Sequence, residues 1–359
     1  MRPLEVHYLA RVEYEDGLRL QKLFGEARAR ELVPDTLLLL EHPAVLTLGR
    51  SGKRANILAT PEELMRKGVQ VFETNRGGDV TFHGPGQIVG YPIFRLSPDR
   101  QDVRRYVRNL EESLLRTLSR FEIQGRIIPA WPGVWVGSPG ATPEKIAAIG
   151  VHISRWQTSH GFALNVNTAL SYFELIVACG IAEGGVTSMQ RQLGREVSIS
   201  EVERTLAGSI AEVFDGALRV GEPPARTVAV AILRHLGPRD EVLLLQRTPE
   251  RGGFWQIVTG RIEAGESPGQ AAKREVMEET GLDLTVTDLE RPHSFALGEQ
   301  VPPRLILETC FAARLDSDQP VRIDPREHLR FQWVDIAEAI RVLPFEGLRA
   351  AVRTAQSRS

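Results

Sequence analysis

Apolar residues recur at two different spacings along this chain, and each spacing predicts a different kind of element. Short apolar runs predict strands at Thr36–Leu40, Val69–Phe72 and Phe162–Val166. From Asp102 to Phe121 the apolar positions recur every three or four residues, which predicts a helix with one buried stripe. The members of that stripe are Val103, Val107, Leu110, Leu114, Leu118 and Phe121. We therefore predict an α/β or α+β fold class for the first part of the chain.

A proline-containing segment follows a further predicted helix, Ser200–Phe214. Pro223 and Pro224 lack the N–H that a sheet ladder needs, and each restricts the residue before it. We therefore predict a linker over 220–226. It divides the chain into a domain at 1–219 and a domain at 227–359.

The second domain opens with a predicted hairpin, Val228–Leu233 and Glu241–Leu245, around the turn 237–240. A helix is predicted over Pro268–Thr280, because Ser267 and Gln270 form a capping box before it and Gly281 follows it. The remaining predicted elements are strands near Leu305–Ala312 and Phe331–Trp333 and a helix from Pro344 to about Ala355. This pattern indicates a sheet with flanking helices.

Composition narrows the class of protein. A length of 359 residues suits two domains of about 100–200 residues. Hydrophobic residues make up 42% and charged residues 25%, which excludes a disordered chain, a collagen-like repeat and a coiled coil. Lys+Arg 44 against Asp+Glu 46 gives a net charge of −2, so nothing indicates a DNA-binding protein.

The two cysteines, Cys179 and Cys310, are too few for a disulfide scaffold, and we expect a reducing cytoplasm. The N-terminus has no apolar signal core, and no run approaches the roughly 20 apolar residues that span a bilayer. We expect no membrane partner. Cys310 lies in an apolar predicted strand and is interpreted as an inert core thiol.

Three carboxylates mark the helix of the second domain. Glu275, Glu278 and Glu279 are three or four residues apart and share one helical face. Carboxylates that close repel each other, and a hard divalent cation such as Mg²⁺ would compensate, because it prefers oxygen ligands. Arg274 can reach back to Glu266 and tie the preceding loop to the helix. A solvated acidic face is the alternative interpretation.

This loop and helix resemble the Nudix hydrolase signature. The matching positions are Gly260, Glu266, Arg274, Glu275, Val276, Glu278, Glu279, Gly281 and Leu282. The resemblance implies a Nudix α/β/α sandwich domain that hydrolyses a nucleoside-diphosphate-type bond. It also implies that Glu275, Glu278 and Glu279 hold Mg²⁺ or Mn²⁺ and help to activate water.

The substrate of this domain stays open at the level of sequence. The segment that contains Arg247 and Trp255 resembles the Nudix branch that acts on dihydroneopterin triphosphate and related nucleotides. Trp255 could stack on a base or pterin ring and Arg247 could meet a phosphate. Equally, Trp255 could be a core residue and Arg247 part of a surface pair. A Nudix fold that only senses nucleotides is a further alternative.

Two features of the first domain carry chemistry. A glycine-rich loop at 75–92 allows close approach of backbone to a ligand, but it lacks the spacing of a dinucleotide site or P-loop. Lys145 lies within an apolar run, where burial favours the neutral amine and can make it a base. Cys179 precedes a glycine and can act as a nucleophile if a base takes its proton.

Three blocks, 76–87, 145–150 and 160–165, resemble the lipoyl (octanoyl) transferases of the biotin/lipoate protein ligase superfamily. The resemblance implies a ligase-like transferase fold with Cys179 and Lys145 as the catalytic dyad and no cofactor. Octanoyl would move from octanoyl-acyl carrier protein to Cys179, and then to a lysine of a lipoyl domain. The implied acceptors are the E2 subunits of 2-oxoacid dehydrogenases and the glycine cleavage H protein.

The resemblance also implies which residues line the acyl site. They are Arg76, Gly77, Gly78, Asp79, Val80, Thr81, Phe82, His83, Ala148, Ile149, Gly150, Gly161, Phe162 and Ala163. His83 is expected to orient or polarise the site rather than bind metal. The chain departs from the family at Phe82, Ala148 and Ala178, where Tyr, Ser and Pro are usual, so a pocket hydrogen bond is in doubt.

Two further interpretations concern partners. Arg104, Arg105 and Arg108 cluster at the start of a predicted helix and could dock an acidic carrier protein, or could simply form a solvated face. The rival function is an ATP-dependent lipoate or biotin ligase of the same fold, which would need no cysteine nucleophile.

Overall fold

A computed structural model describes residues 1–129, 131–138, 142–177, 184–236, 239–316 and 319–358. The chain forms two compact units. Unit 1 comprises Met1–Pro223 with Ala296–Arg304, and unit 2 comprises Pro224–Phe295 with Leu305–Ser359. No helix among the described residues is long and apolar enough to cross a bilayer.

Unit 1 combines a large mixed sheet, a small second sheet and flanking helices. Its strands are β1 (Arg2–Arg11), β2 (Asp35–Glu41), β3 (Val45–Leu48), β4 (Gln70–Glu73), β5 (Val80–His83), β6 (Gln87–Ile93), β7 (Arg126–Ile128), β8 (Trp131–Val136), β9 (Glu144–Ser154), β10 (Gln157–Asn165), β11 (Gly185–Val186) and β12 (Gly216–Val220). Its helices are α1 (Tyr14–Ala29), α2 (Pro61–Arg66), α3 (Val103–Arg120), α4 (Met189–Leu193) and α5 (Ile199–Phe214).

The large sheet of unit 1 is ordered β12-β1-β2-β6-β10-β9-β8-β7. β1 runs parallel to β12 and β2, and the pairs from β2 to β7 are antiparallel. β11 adds a short parallel pair to β9 through Gly185 and Val186. In the small sheet β3 lies between β4 and β5. The apolar faces of α3 and α5 share one buried core with the large sheet.

The predicted helix at residues 102–121 is confirmed as α3. The side chain of Asp102 accepts a hydrogen bond from the Arg105 N–H, which caps the first turn. The buried stripe, however, is shorter than predicted, because Val103 is 45% exposed. Packing begins one turn later, at Tyr106, which belongs to the core that α3 shares with the sheet.

Unit 2 is a sheet between helices. Its strands are β13 (Ala225–Leu236), β14 (Arg239–Arg247), β15 (Trp255–Gln256), β16 (Val258–Arg261), β17 (Val286–Asp288), β18 (His293–Leu297), β19 (Arg304–Arg314) and β20 (His328–Asp335). The last two residues of β18 and the first residue of β19 belong to unit 1. Its helices are α6 (Pro268–Thr280), α7 (Ile336–Val342) and α8 (Glu346–Ser357). β13 is central, antiparallel to β14 and β16 and parallel to β19.

Alternation along β13 sends side chains to two separate cores. Val228 and Val230 pack with α6, whereas Ala229 and Ala231 pack with α8. The bounds of α6 agree with the prediction, and both hydrogen bonds of the capping box between Ser267 and Gln270 are present. These layers give the mixed α/β fold that the sequence predicted.

The segment outside regular structure between the two units is shorter than the predicted linker at 220–226. Val220 is the last residue of β12 and Ala225 is the first of β13, which leaves only 221–224 outside strands. The strands of the predicted hairpin are present as β13 and β14. Residues 237 and 238 of its turn lie outside the described residues.

Candidate functional site

A cavity of about 620 Å³ opens in unit 1, at the place where the glycine-rich loop meets β9 and β10. Most of the predicted acyl-site residues line it, together with Lys145. The predicted residues on its wall are Arg76, Gly77, Gly78, Asp79, Thr81, His83, Lys145, Ala148, Ile149, Gly150, Gly161, Phe162 and Ala163. The structure therefore brings residues from three separate sequence blocks to one cavity.

Two predicted residues do not line this cavity, and the alternation of β5 explains why. Thr81 and His83 face the cavity, so Val80 and Phe82 face the opposite side of the strand. Phe82 is 1% exposed and stacks on Tyr172 at a ring-centroid distance of 4.8 Å. The prediction that Val80 and Phe82 line the cavity is wrong, because both belong to a core. The missing tyrosine hydroxyl at residue 82 consequently removes no hydrogen bond from the cavity.

The glycine-rich loop is held by a buried arginine. Arg76 Nε lies 3.1 Å and Arg76 Nη2 lies 2.8 Å from Thr47 Oγ1, and Nη2 also donates to the Thr47 carbonyl. The Gly77 N–H donates to the Val151 carbonyl at 2.9 Å. A Cβ on Gly150 would approach the Gly77 carbonyl oxygen to 2.9 Å, so a glycine allows β9 and the loop to pack directly.

Lys145 lies near the start of β9 with only 8% of its surface exposed. Its Nζ lies 4.6 Å from the centroid of the Trp135 ring. Trp135 pairs with Lys145 across β8 and β9, and its indole N–H donates to the Trp131 carbonyl at 3.0 Å. The neighbouring strand thus fixes the lysine side chain at the cavity wall. Cys179, its predicted partner, lies outside the described residues.

The tautomer of His83 follows from a chain of amide hydrogen bonds. Asn165 Nδ2 donates to the Thr187 carbonyl at 2.9 Å, which leaves Asn165 Oδ1 to accept from Gln87 Nε2 at 2.8 Å. Gln87 Nε2 also donates to the Phe82 carbonyl, so Gln87 Oε1 accepts from His83 Nδ1 at 2.8 Å. His83 Nε2 therefore carries a lone pair.

A second histidine, His42, is oriented in the same way. The Val12 carbonyl accepts from His42 Nδ1 at 2.6 Å, so His42 Nε2 accepts from the hydroxyl of Tyr91 at 2.7 Å. Burial lowers the pKa of His42 to about 4 and the pKa of His83 to about 3. Burial also lowers the pKa of His160, at the cavity wall, to about 4. This cluster of neutral rings supplies hydrogen-bond donors and acceptors rather than positive charge.

In unit 2 the predicted loop–helix contact is present. Arg274 Nε and Nη2 each lie 3.0 Å from a carboxylate oxygen of Glu266. Arg274 Nη1 donates to Glu275 Oε1 at 2.7 Å and to Glu278 Oε2 at 3.0 Å. Glu279 is 5% exposed and its Oε2 lies 3.4 Å from the backbone nitrogen of Thr259. Arg274 thus forms hydrogen bonds with two of the three predicted metal ligands, and the third, Glu279, faces β16.

The chemistry of this donor set fits a hard divalent cation. Burial raises the pKa of Glu275, and burial with the nearby charge of Glu275 raises that of Glu279 well above its usual range. A bound cation would offset the loss of hydration of the two carboxylates and the repulsion between them, because its positive charge attracts both and its coordination replaces water. Gly260 is part of the arrangement, since a Cβ there would overlap the Glu275 carboxyl group.

Arg247 and Trp255, the predicted substrate residues, lie on neighbouring strands. Each side chain contacts another side chain of unit 2. Arg247 Nη1 donates to Gln256 Oε1 at 3.2 Å. Trp255 is partly buried against the α8 core, and the Arg330 guanidinium carbon lies 5.3 Å from the centroid of its ring. One face of Trp255 is therefore covered by a cation.

Comparison with known proteins identifies the family. The chain is 57% identical over 356 residues to an octanoyltransferase from Myxococcus xanthus, and the alignment covers 99% of each protein. The chain belongs to the octanoyltransferase family. A family model of the lipoyl protein ligase A/B catalytic domain matches residues 13–211, and a NUDIX domain model matches residues 225–353. An octanoyltransferase from Solibacter usitatus is 49% identical over 215 residues, covering 60% of this chain and 94% of that protein.

Solved structures are similar to parts of the chain. A lipoate protein ligase from Thermoplasma acidophilum is 16% identical and covers 61% of this octanoyltransferase and 87% of its own chain, with a TM-score of 0.46. The dihydroneopterin triphosphate pyrophosphohydrolase of E. coli is 29% identical to this chain. The match covers 37% of this chain and 96% of that protein, with a TM-score of 0.34.

Sequence reasoning missed several residues on the cavity wall of this octanoyltransferase. They are Tyr14, Ser51, Val89, Tyr91, Val107, Trp131, Pro132, Val151 and His160. Val89 and Tyr91 alternate along β6, and Val151 continues β9 beyond Gly150, so strand alternation could have found these three. Tyr14, at the start of α1, carries no local sequence signal for the site.

Proposed function

We propose that unit 1 transfers octanoyl from octanoyl-acyl carrier protein to a lysine of a lipoyl domain, through a thioester on Cys179. The single observation that carries this proposal is the buried Lys145 on the wall of the 620 Å³ cavity. A cavity of this size falls within the range of about 300–1,000 Å³ typical of small-ligand sites. Apolar wall residues such as Ile149 and Phe162 suit an aliphatic chain.

The proposed reaction has two transfers. Lys145 Nζ takes the proton of the Cys179 thiol, the thiolate attacks the octanoyl carbonyl carbon, and the bond to the carrier's sulfur breaks. The carrier thiolate leaves with the proton that Lys145 returns. The acceptor lysine amine then attacks the Cys179 thioester, the new C–N bond forms, and Lys145 relays the amine proton to the departing Cys179 thiolate.

Neutral donors and acceptors around the cavity suit this chemistry. His83 presents an unprotonated Nε2, which can accept a hydrogen bond from the N–H of an incoming amine. The exposed Arg104, Arg105 and Arg108 lie on α3, the helix that also supplies Val107 to the cavity wall. A basic surface in that position favours docking of an acidic carrier protein.

Mass spectrometry of the full-length chain tests this proposal. After mixing with octanoyl-acyl carrier protein, we expect one octanoyl adduct on Cys179 and none in Cys179→Ala. Lys145→Met should slow adduct formation by roughly 10²–10⁴-fold, as expected for loss of a general base. Lys67→Met, which removes an exposed lysine of the same unit, should not. ATP-dependent use of free octanoate that persists in Cys179→Ala would support the ligase alternative instead.

Unit 2 is proposed to hydrolyse a nucleoside-diphosphate-type bond. Glu275, Glu278 and Glu279 would hold Mg²⁺ or Mn²⁺, which when bound polarises a phosphoryl oxygen and activates water. Arg274 positions Glu275 and Glu278 and fixes the loop through Glu266. Trp255 and Arg247 are proposed to contact a nucleotide-like substrate.

A panel of nucleoside triphosphates and dinucleoside polyphosphates tests this second activity. Mg²⁺-dependent release of phosphate or pyrophosphate is expected from wild type and not from Glu279→Gln. Absence of release from wild type across the panel would exclude hydrolysis and favour a nucleotide-sensing role.

A further inference from the structure

A buried group of metal-ligating side chains lies in unit 2, on the opposite face of the sheet from α6. Glu308 and Cys310 are two residues apart on β19 and therefore share a face, and His293 begins β18. Cys310 packs in the core formed with α8, whereas its neighbour Phe311 packs in the core formed with α6. The group is thus separated by the sheet from Glu275 and Glu279.

The three side chains face one another at short distances. Cys310 Sγ lies 3.7 Å from His293 Nδ1, and His293 Nε2 lies 3.4 Å from Glu308 Oε1. One ligand atom from each residue lies within 4.8 Å of the other two. Ligand atoms on one tetrahedral Zn²⁺ are about 3.3–3.7 Å apart, given bonds of about 2.0–2.3 Å. The contacts of 3.7 Å and 3.4 Å involve different nitrogens of the His293 ring, so an ion bound to one nitrogen requires the side chain beside the other nitrogen to move toward it.

All three side chains are removed from water, and burying polar groups costs free energy. His293, Glu308 and Cys310 are 3%, 5% and 0% exposed. Their surroundings are apolar, since Ala229, Ala231 and the α8 core lie on the same face of the sheet. Thr227 Oγ1 donates to Glu308 Oε2 at 3.4 Å. As ligands of a metal, the Glu308 carboxylate and the Cys310 thiolate would carry two negative charges, which a divalent ion would neutralise.

The mixture of ligands selects the kind of ion. Sulfur and imidazole nitrogen suit Zn²⁺ and related transition metals, whereas Mg²⁺ prefers oxygen ligands throughout. Gly347 of α8 packs directly on the His293 ring, where a Cβ would overlap it. The imidazole is therefore held in place between the thiol and the carboxyl group.

We propose that Cys310, His293 and Glu308 form a second metal site in unit 2, which binds a thiolate-preferring divalent ion such as Zn²⁺. The ligands are Cys310 Sγ, one imidazole nitrogen of His293 and one carboxylate oxygen of Glu308. The role of the ion is structural, since all three ligands are buried and join β18 to β19.

Cobalt substitution tests this site in the full-length chain. Cys179→Ala is used as the background, because it leaves Cys310 as the only thiol in the sequence. Titration with Co²⁺ should then produce a thiolate-to-cobalt charge-transfer band, which an all-carboxylate site cannot give. The band should saturate at one ion per chain and disappear on adding Cys310→Ser. Its absence from Cys179→Ala would mean that the three groups form a hydrogen-bonded triad only, and would overturn the proposal.

Further variants separate ligand loss from unfolding. Glu308→Gln keeps the side-chain shape and should weaken Co²⁺ binding roughly 10-fold or more. His235→Gln is the control variant, because it removes an exposed imidazole that pairs with the Asp240 carboxylate elsewhere in the same unit. The charge-transfer band should be unchanged in this variant. Circular dichroism checks that each variant is folded. A charge-transfer band with the wild-type Co²⁺ affinity in Glu308→Gln would show that Glu308 is not a ligand and would also overturn the proposal.

Discussion

Gln87 Oε1 lies 2.8 Å from His83 Nδ1, and this hydrogen bond decides which nitrogen of His83 carries a proton. Gln87 is itself oriented by the Asn165 side chain and the Phe82 carbonyl. The lone pair on His83 Nε2 therefore depends on residues that lie 78 positions apart in sequence.

Gln87→Leu removes this orientation while keeping a side chain of similar size. It leaves three groups without their present partner, the His83 Nδ1–H, the Phe82 carbonyl and Asn165 Oδ1, at a cost of about 1–3 kcal/mol per buried group. We expect kcat for octanoyl transfer to fall roughly 10-fold or more, with a smaller change in the KM for the carrier protein. Steady-state kinetics measures this. Partial recovery in Gln87→Asn would support an orienting role, and an unchanged kcat in Gln87→Leu would contradict it.

The buried histidines predict how the stability of unit 1 depends on pH. The folded-state pKa values of His42, His83 and His160 lie at about 4, 3 and 4, below the unfolded value of about 6.5. Below pH 6.5 the unfolded chain binds protons that the folded chain does not. The contribution of these histidines to the free energy of unfolding is therefore fully present above pH 6.5 and decreases as the pH falls to about 3, the lowest of the folded-state pKa values.

His42→Gln isolates one of these contributions. The difference in unfolding free energy between wild type and variant should shrink by up to about 1.4 kcal/mol per pH unit as the pH falls from 6.5 to 4. Glu203 acts with the opposite sign, because burial raises its pKa to about 7, but it is common to both proteins and cancels in the difference. Urea unfolding at several pH values measures this, and a pH-independent difference would contradict it.

Neighbouring residues of β5 should respond differently to truncation. Phe82→Ala opens a cavity in the core beside Tyr172, and we expect a loss of about 3–5 kcal/mol of unfolding free energy. Thr81→Ala changes the wall of the unit 1 cavity instead, so we expect a changed KM for the carrier protein with a smaller loss of stability. The loss of unfolding free energy is measured by urea unfolding, and the change in KM is measured by transfer kinetics, on both variants. Equal effects of the two substitutions on KM would show that both side chains reach the substrate.

A glycine pair in unit 2 tests the proposed magnesium site. Gly260→Ala places a methyl group in the position of the Glu275 carboxyl, so that carboxylate must move. We expect Mn²⁺ affinity, measured by calorimetry, to fall at least roughly 10-fold. Gly269→Ala in α6 is the matched control, because a Cβ there has no neighbouring atom within 4 Å beyond the helix's own backbone. Unchanged Mn²⁺ binding in Gly260→Ala would exclude Glu275 as a ligand.

Local sequence determined the elements of this protein and the blocks that surround its sites. The helix α6 follows from Ser267, Gln270 and Gly281, because a capping box and a left-handed terminal glycine act within a few residues. The contact from Arg274 to Glu266 was also predictable, since both belong to one continuous loop and helix. The exposed start of α3 was not, because the length of a buried stripe depends on what the helix packs against.

Only the tertiary structure decided which side chains meet. Strand register brings Trp135 opposite Lys145, and antiparallel pairing of β9 with β10 sets Gly150 opposite Gly161. The tautomer of His83 depends on Asn165, and the group of His293, Glu308 and Cys310 combines two strands. Hydrophobic pattern and local hydrogen bonds specify an element, whereas contacts between elements depend on register and packing over the whole fold. The sequence alone therefore predicted the candidate reactive residues, and the fold decided the contacts of those that the structure describes.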